Sequence, residues 1–201
     1  MIKIYENFFE DGDLKIIRGY LQNPTWTSQK STHEDDSDFQ MYDVSDIEYF
    51  NSELLEYINS KLDSNFKLER VYFNGQDYGQ DGAWHPDSDI GYTHLTYLNP
   101  DVSPDWNGET QFQEKPGIIK SVLPEYNSSV VFKGSISHRG LAFNNENTPR
   151  SVPFDVKFNP PDSYRYIING IDRIDGDNIH IKIGSVEYKN TNRNIFSIHS
   201  P

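Results

Sequence analysis

Apolar residues recur with two rhythms along this chain: a helical one near the N-terminus and a period of two through the middle. Residues 2–9 mix apolar and polar positions like a short strand. Leu14, Ile17 and Leu21 then follow at helical spacing, behind Asp11 and Asp13, whose charges suit a helix N-terminus. Residues 23–38, NPTWTSQKSTHEDDSD, carry no apolar period and predict a long loop. A second helix is expected from Ser45, with Ser45 and Glu48 as a capping box and Ile47, Phe50, Leu54, Ile58 and Leu62 as its buried stripe. From residue 67 to 158 the pattern alternates. Thr93, Leu95 and Tyr97 interleave with His94, Thr96 and Leu98; Val130–Phe132 form a short apolar run; Val152, Phe154, Val156 and Phe158 alternate again. Gly, Pro, Asn and Asp clusters separate these runs, so the middle reads as a sandwich, jelly roll or barrel of short strands. After Pro160-Pro161, Ile179, Ile181 and Ile183 alternate with His180 and Lys182, and Gly184-Ser185 offers a turn before Val186 and Tyr188. Residues 161–201 therefore predict a small β meander that extends or caps the main sheet. No internal repeat or low-complexity segment is present.

Composition narrows the function classes. Aromatic residues make up 14% of the 201, which favours strands over a helical bundle. The formal net charge of -13 leaves no cluster of Lys and Arg to neutralise phosphates, so nucleic acid is not expected as a partner. With no cysteine, disulfides, zinc-thiolate sites and iron–sulfur clusters are excluded. The N-terminus lacks the pattern of a secretory signal, and no apolar run reaches membrane-spanning length, so the expectation is a cytoplasmic chain with no membrane partner, monomeric or weakly oligomeric.

Candidate chemistry begins at Gly82–Asp89, GAWHPDSD. In a strand, residues i and i+2 share a face, so His85 and Asp87 can grip one ion together. The tripeptide alone is weak evidence and favours a solvated loop. His138, in VVFKGSISHRG, follows a strand that reads as buried and a Lys-Gly turn, a context no other histidine shares. Two histidines and one carboxylate form a facial triad that leaves three positions open on a non-haem Fe(II). Arg150 shares parity with Val152, Phe154, Val156 and Phe158. It is either a surface ion pair at the first residue of the strand or an inward guanidinium that needs a carboxylate partner, such as a bound dicarboxylic acid.

The run from Val71 to Phe158 resembles the Fe(II)- and 2-oxoglutarate-dependent dioxygenases, most closely the prolyl 4-hydroxylase branch in its compact bacterial and bacteriophage form. The markers are H-x-D at His85 and Asp87, the strand THLTYLN, the turn NGET at Asn107–Thr110, VVFKG with His138 behind it, and the following Arg150-Ser151. The resemblance implies a mainly β fold with flanking α-helices, a double-stranded β-helix or distorted jelly roll. Residues 1–160 would form the dioxygenase domain around a core at 67–158, with 161–201 packed on it as an extension. It implies His85, Asp87 and His138 as iron ligands, and Arg150, Tyr97 and Tyr72 on the cosubstrate side. The cofactor set it implies is Fe(II), with 2-oxoglutarate and O2 as cosubstrates and ascorbate as an auxiliary reductant. The implied reaction is hydroxylation of an unactivated C–H bond, with a prolyl residue of a peptide or protein as the target; if the source is viral, the compartment is the host cytoplasm.

Two other functions compete. An oxygenase of a free amino acid, nucleotide or other small molecule would keep every iron and cosubstrate residue. A non-catalytic jelly roll would have no need to keep the whole set. Trp84 and Trp106 flank the candidate site and are read as packing at its rim, with peptide docking as the alternative. Residues 23–38 read as either a lid or a plain loop. The NSS sequon at Asn127 is discounted without a signal peptide, and Glu109 is read as a turn residue.

Overall fold

The computed structural model describes residues 2–29, 39–144 and 150–159, and the backbone of three strands between 171 and 190. The chain divides into two compact units, Met1–Pro161 and Asp162–Pro201.

In the first unit, β1 (Ile2–Tyr5) leads to α1 (Asp11–Gly19). Asp11 and Asp13 lie in the first turn of α1, and Leu14 and Ile17 are buried, as the helical spacing predicts. Part of the expected loop is a strand. β2 (Thr27–Gln29) pairs antiparallel with β3 (Phe39–Asp43), while residues 30–38 lie outside the described residues, and the lid expectation with them. The second helix also starts later than expected, as α2 (Glu48–Asn51) and α3 (Glu53–Leu62), divided at Ser52. The Ser45–Glu48 box does not form. The Ser45 hydroxyl donates to Asp43 Oδ1 at 2.6 Å and accepts from the Val71 amide at 3.0 Å, so neighbouring strands hold the capping group.

The strands that follow are β4 (Lys67–Gly75), β5 (Tyr92–Tyr97), β6 (Thr110–Lys115), β7 (Ile118–Val122), β8 (Ser129–Lys133), β9 (Ser137–Gly140) and β10 (Pro153–Asn159). They form a seven-stranded sheet in the order β1-β8-β5-β10-β4-β3-β2 and a three-stranded sheet in the order β7-β6-β9. All pairings are antiparallel. An isolated bridge between His85 and His138 brings one more segment to the outer edge of β9.

The large sheet is buried on both faces. On one face Val71, Phe73, Phe154, Val156 and Phe158 pack with Phe50, Leu54 and Ile58 of the helices and with Phe8 and Phe9. On the other, Leu95, Tyr97, Val130 and Phe132 meet Phe112 and Val122 of the small sheet, with the Phe112 and Phe132 rings 4.9 Å apart. Each fully buried Phe contributes about 1.5–3 kcal/mol to holding these layers together. This arrangement is a double-stranded β-helix with helices on one outer face, as expected. Pro153 opens β10, where no ladder N–H is lost, and the bulge falls at Lys157/Phe158. Asn127, at φ 60°, makes the left-handed turn before β8, and its side chain bonds both the N–H and the C=O of Phe9.

The second unit contains a meander, β11 (Ile171–Asp175), β12 (Asn178–Ile183) and β13 (Val186–Asn190), antiparallel in that order. Its hairpin register places Ile183 opposite Val186, and the expected Gly184-Ser185 turn lies outside the described residues.

Candidate metal centre

The segment carrying His85 and Asp87 is tied to the barrel by backbone bonds. His85 N–H donates to the His138 carbonyl at 3.0 Å, and His138 N–H returns a bond to the His85 carbonyl at 2.9 Å. The amides of Asp87 and Ser88 both donate to the Gly134 carbonyl, at 2.8 and 3.2 Å. A Cβ on Gly134 would meet the Ser88 hydroxyl, which would have to turn away. Gly91, at φ +109°, accepts from the Gly134 amide, and a Cβ on it would strike the Phe158 carbonyl. The two glycines let the loop before β5 and the turn after β8 touch, which carries Asp87 in between the sheets.

The result is a cluster. One ligand-type atom from each of His85, Asp87 and His138 lies within 4.8 Å of the others. His85 Nε2 is 3.8 Å from Asp87 Oδ1, and His138 Nε2 is 3.6 Å from Asp87 Oδ2. Each imidazole has its other nitrogen against a carbonyl: Nδ1 of His85 is 2.9 Å from the Ala83 oxygen, and Nδ1 of His138 is 3.0 Å from that of Ile136. A carbonyl only accepts, so both Nδ1 atoms carry a proton, and both Nε2 atoms turn toward Asp87. Burial draws the His138 pKa down, against the pull of the Asp87 charge, which keeps the imidazole in its ligating, neutral form. Burial alone would raise the Asp87 pKa, but His138, Lys157 and the Thr93 hydroxyl outweigh it and hold the carboxyl below its ordinary value. Two imidazoles and one carboxylate on one side are the donor set of a non-haem Fe(II) site with open positions.

Two neighbours of the cluster were not singled out from sequence. Thr93 donates to Asp87 Oδ2 at 2.5 Å, and Lys157 donates to Asp87 Oδ1 at 2.6 Å. They are register partners on β5 and β10. The alternation of Phe154, Val156 and Phe158 marked one buried face of β10 and hid the other, on which Asp155 and Lys157 lie. The available signal was that these two charges stand in an apolar strand. A strand whose intervening residues are charged and yet buried serves an interior, not a solvent face.

Tyr72, Tyr97 and Arg150 are placed differently from one another. Tyr72 is buried opposite Asp155, its ring bracketed by the Arg70 guanidinium at 5.1 Å and the Lys157 ammonium at 5.3 Å. Burial raises its pKa, and the charges of Asp155 and Asp87 raise it further. Tyr97 lies on the inward face farther along β5, its hydroxyl donating to Thr110 Oγ1 at 2.8 Å. Arg150 does not face the cluster. It precedes β10, and its guanidinium makes a two-pronged pair with Asp77 at 2.7 and 2.6 Å while lying over the Trp26 ring at 5.3 Å. Of the two alternatives for Arg150, the ion pair at the head of the strand is the one found, with Asp77 as its partner. The inward guanidinium is corrected, because the residue's parity leads to the face packed on the helices.

No protein-family model matches the chain, and no curated relative is found by sequence. Solved structures do match. A Pseudomonas putida prolyl-4-hydroxylase superposes with a TM-score of 0.61 at 16% identity, over 79% of this chain and 92% of that one. A 2-oxoglutarate-Fe(II) oxygenase-family oxidoreductase from Burkholderia pseudomallei gives 0.64 at 10%, over 79% and 84%. HygX from Streptomyces hygroscopicus, with nickel and 2-oxoglutarate bound, gives 0.61 at 10%, over 82% and 85%. The chain has the double-stranded β-helix fold of the 2-oxoglutarate- and Fe(II)-dependent oxygenases, prolyl 4-hydroxylases among them.

Proposed function

We propose that the protein is an Fe(II)- and 2-oxoglutarate-dependent oxygenase. The observation that carries this reading is the convergence of His85 Nε2, His138 Nε2 and the Asp87 carboxylate, with both Nδ1 protons held by backbone carbonyls. Such second contacts orient ligands and raise their basicity. An Fe(II) ion held there by His85, Asp87 and His138 would, with 2-oxoglutarate and O2, supply the oxidising power for C–H hydroxylation, 2-oxoglutarate being converted to succinate and CO2.

The chain's own residues have separable roles. His85, Asp87 and His138 hold the metal. Thr93 and Lys157 orient the Asp87 carboxylate. Lys157, not Arg150, is the cation on the inward face and supplies the positive charge a dicarboxylate needs. The Tyr72 ring backs the Lys157 stem, and Phe112 and Phe132, both packed on the His138 ring, keep water from the inner side of the site. Arg150 acts at a distance by pinning Asp77, at the start of the loop that reaches His85.

The finer reading is hydroxylation of a prolyl residue in a peptide. A Trichoplax adhaerens prolyl hydroxylase of this fold was solved with a hypoxia-inducible-factor peptide fragment (TM-score 0.59, 13% identity), which supports a peptide as the substrate class. Adding Fe(II) and 2-oxoglutarate without oxygen tests the coarser reading: a visible charge-transfer band is expected, and it disappears in His138→Ala. A folded wild-type protein with no band refutes the enzyme. A panel of proline-rich peptides, assayed for a mass gain of one oxygen atom with succinate formation, tests the finer one. Succinate formation that no peptide stimulates would move the assignment to small-molecule substrates.

A further inference from the structure

Asp155 is fully enclosed on the inward face of β10, two residues before Lys157. Its register partners are Leu95 on β5 and Tyr72 on β4. Asn74 Nδ2 donates to its Oδ2 at 2.5 Å, and Asn74 Oδ1 is itself buried without a partner among the described residues. Two acceptors thus sit together in the interior. The charged and titratable groups around them are Lys157 on β10, Tyr72 and Arg70 on β4, Tyr97 on β5, and Asp87 on its loop. Lys157 is committed to Asp87 and Arg70 to Asp43, at 2.6 and 2.8 Å. Among the described residues around it, neither of these cations is left to Asp155 alone.

Charge counting gives this carboxyl a task. With Asp87 and Asp155 ionised, Lys157 charged and a divalent metal bound, the interior carries one net positive charge. A dianion entering turns that into one negative charge, enclosed between two sheets, where an unpaired charge is costly. A proton on Asp155 restores neutrality and converts an acceptor into a donor. We infer that Asp155 takes up one proton when the dicarboxylate cosubstrate binds and presents it as a hydrogen bond to the carboxylate end remote from the metal. This inference rests on the oxygenase reading of the same site. Burial, only partly offset by Lys157, already raises the Asp155 pKa to about 7, within reach of such a change.

The test uses the full chain loaded with Mn(II), which binds in place of iron without turnover. 2-Oxoglutarate is titrated calorimetrically at about pH 8 in buffers of different ionisation enthalpy. Uptake approaching one proton per ligand is expected, and affinity should fall about tenfold for each pH unit above the carboxyl's own pKa. In Asp155→Asn, which keeps the shape and the amide contact, uptake should vanish and the affinity should become flat with pH. Binding without proton uptake by the wild type, or uptake unchanged in Asp155→Asn, overturns the Asp155 assignment alone. If Mn(II) binds and 2-oxoglutarate does not, the oxygenase reading fails and this inference with it. The wild-type measurement decides the matter even if the variant folds poorly.

Discussion

Replacing His94 by Leu should make the protein more resistant to acid. His94 is on β5, directly after Thr93, and points to the opposite face, into the helix-side core. It is wholly buried, its ring 4.5 Å from that of Phe8 and 5.8 Å from that of Phe9. Neither ring nitrogen has a partner among the described residues. Burial lowers its pKa from 6.5 to about 3. Between those values the unfolded chain binds a proton that the folded chain refuses, so stability rises with pH through the window and is lost as pH falls through it. At about 1.4 kcal/mol per pH unit the whole window is worth about 5 kcal/mol, of which about 2 kcal/mol is lost by pH 5. Leucine removes the titration. At pH 8 it also removes two orphaned nitrogens, a gain of about 1–3 kcal/mol, against about 0.5–1.5 kcal/mol of ring contact. Urea unfolding of both proteins at several pH values between 5 and 8 measures the difference. All other titrating groups are common to the pair, so the gap should widen by about 2 kcal/mol from pH 8 to pH 5. Parallel pH profiles would refute the argument and mean that His94 is solvated or partnered.

Other outcomes follow from the contacts around Asp87 and the loop that carries it. Thr93→Val keeps the strand but removes a hydrogen bond to Asp87, and should weaken Mn(II) binding about 10–100-fold by titration monitored by electron paramagnetic resonance. Lys157→Met removes the other contact to Asp87 together with the inward charge, so it should weaken Mn(II) about as Thr93→Val does and, at saturating Mn(II), weaken 2-oxoglutarate at least about tenfold; unchanged 2-oxoglutarate affinity would remove Lys157 from the cosubstrate's partners. Gly91→Ala should weaken Mn(II) binding, because the methyl group strikes the Phe158 carbonyl at a positive φ and displaces the contact with Gly134 that holds the Asp87 loop. Arg150→Ala should lower stability by no more than about 1 kcal/mol, since its pair with Asp77 is partly exposed, and should leave 2-oxoglutarate affinity within about twofold.

The elements were legible where one periodicity dominates. The stripe Phe50, Leu54 and Ile58 foretold the helix face, and Phe154, Val156 and Phe158 foretold one side of β10, because repeated apolar burial leaves a repeat in the chain. Helix starts were less legible. Ser45 and Glu48 have the right spacing for a cap, yet Val71, 26 residues farther on in the chain, claims the hydroxyl. A local pattern cannot register a competitor that arrives only on folding.

The site divides along the same line. His85, Asp87 and His138 are chemically unusual in their local contexts, and the two-residue spacing of a strand already puts the first pair on one face. Their meeting with His138, the direction of both Nε2 atoms and the choice between Arg150 and Lys157 depend on the pairing of distant strands. Arg150 is conspicuous in sequence but finds Asp77 across the fold. Lys157 is inconspicuous, one charge in a buried strand, and faces Asp87 only because β10 lies between β4 and β5. Sequence alone determined which residue types and which local faces are available, since these follow from composition and strand geometry. Which partner each side chain meets was decided by tertiary structure, because a charge inside a protein is stable only beside a group that the chain brings from far away.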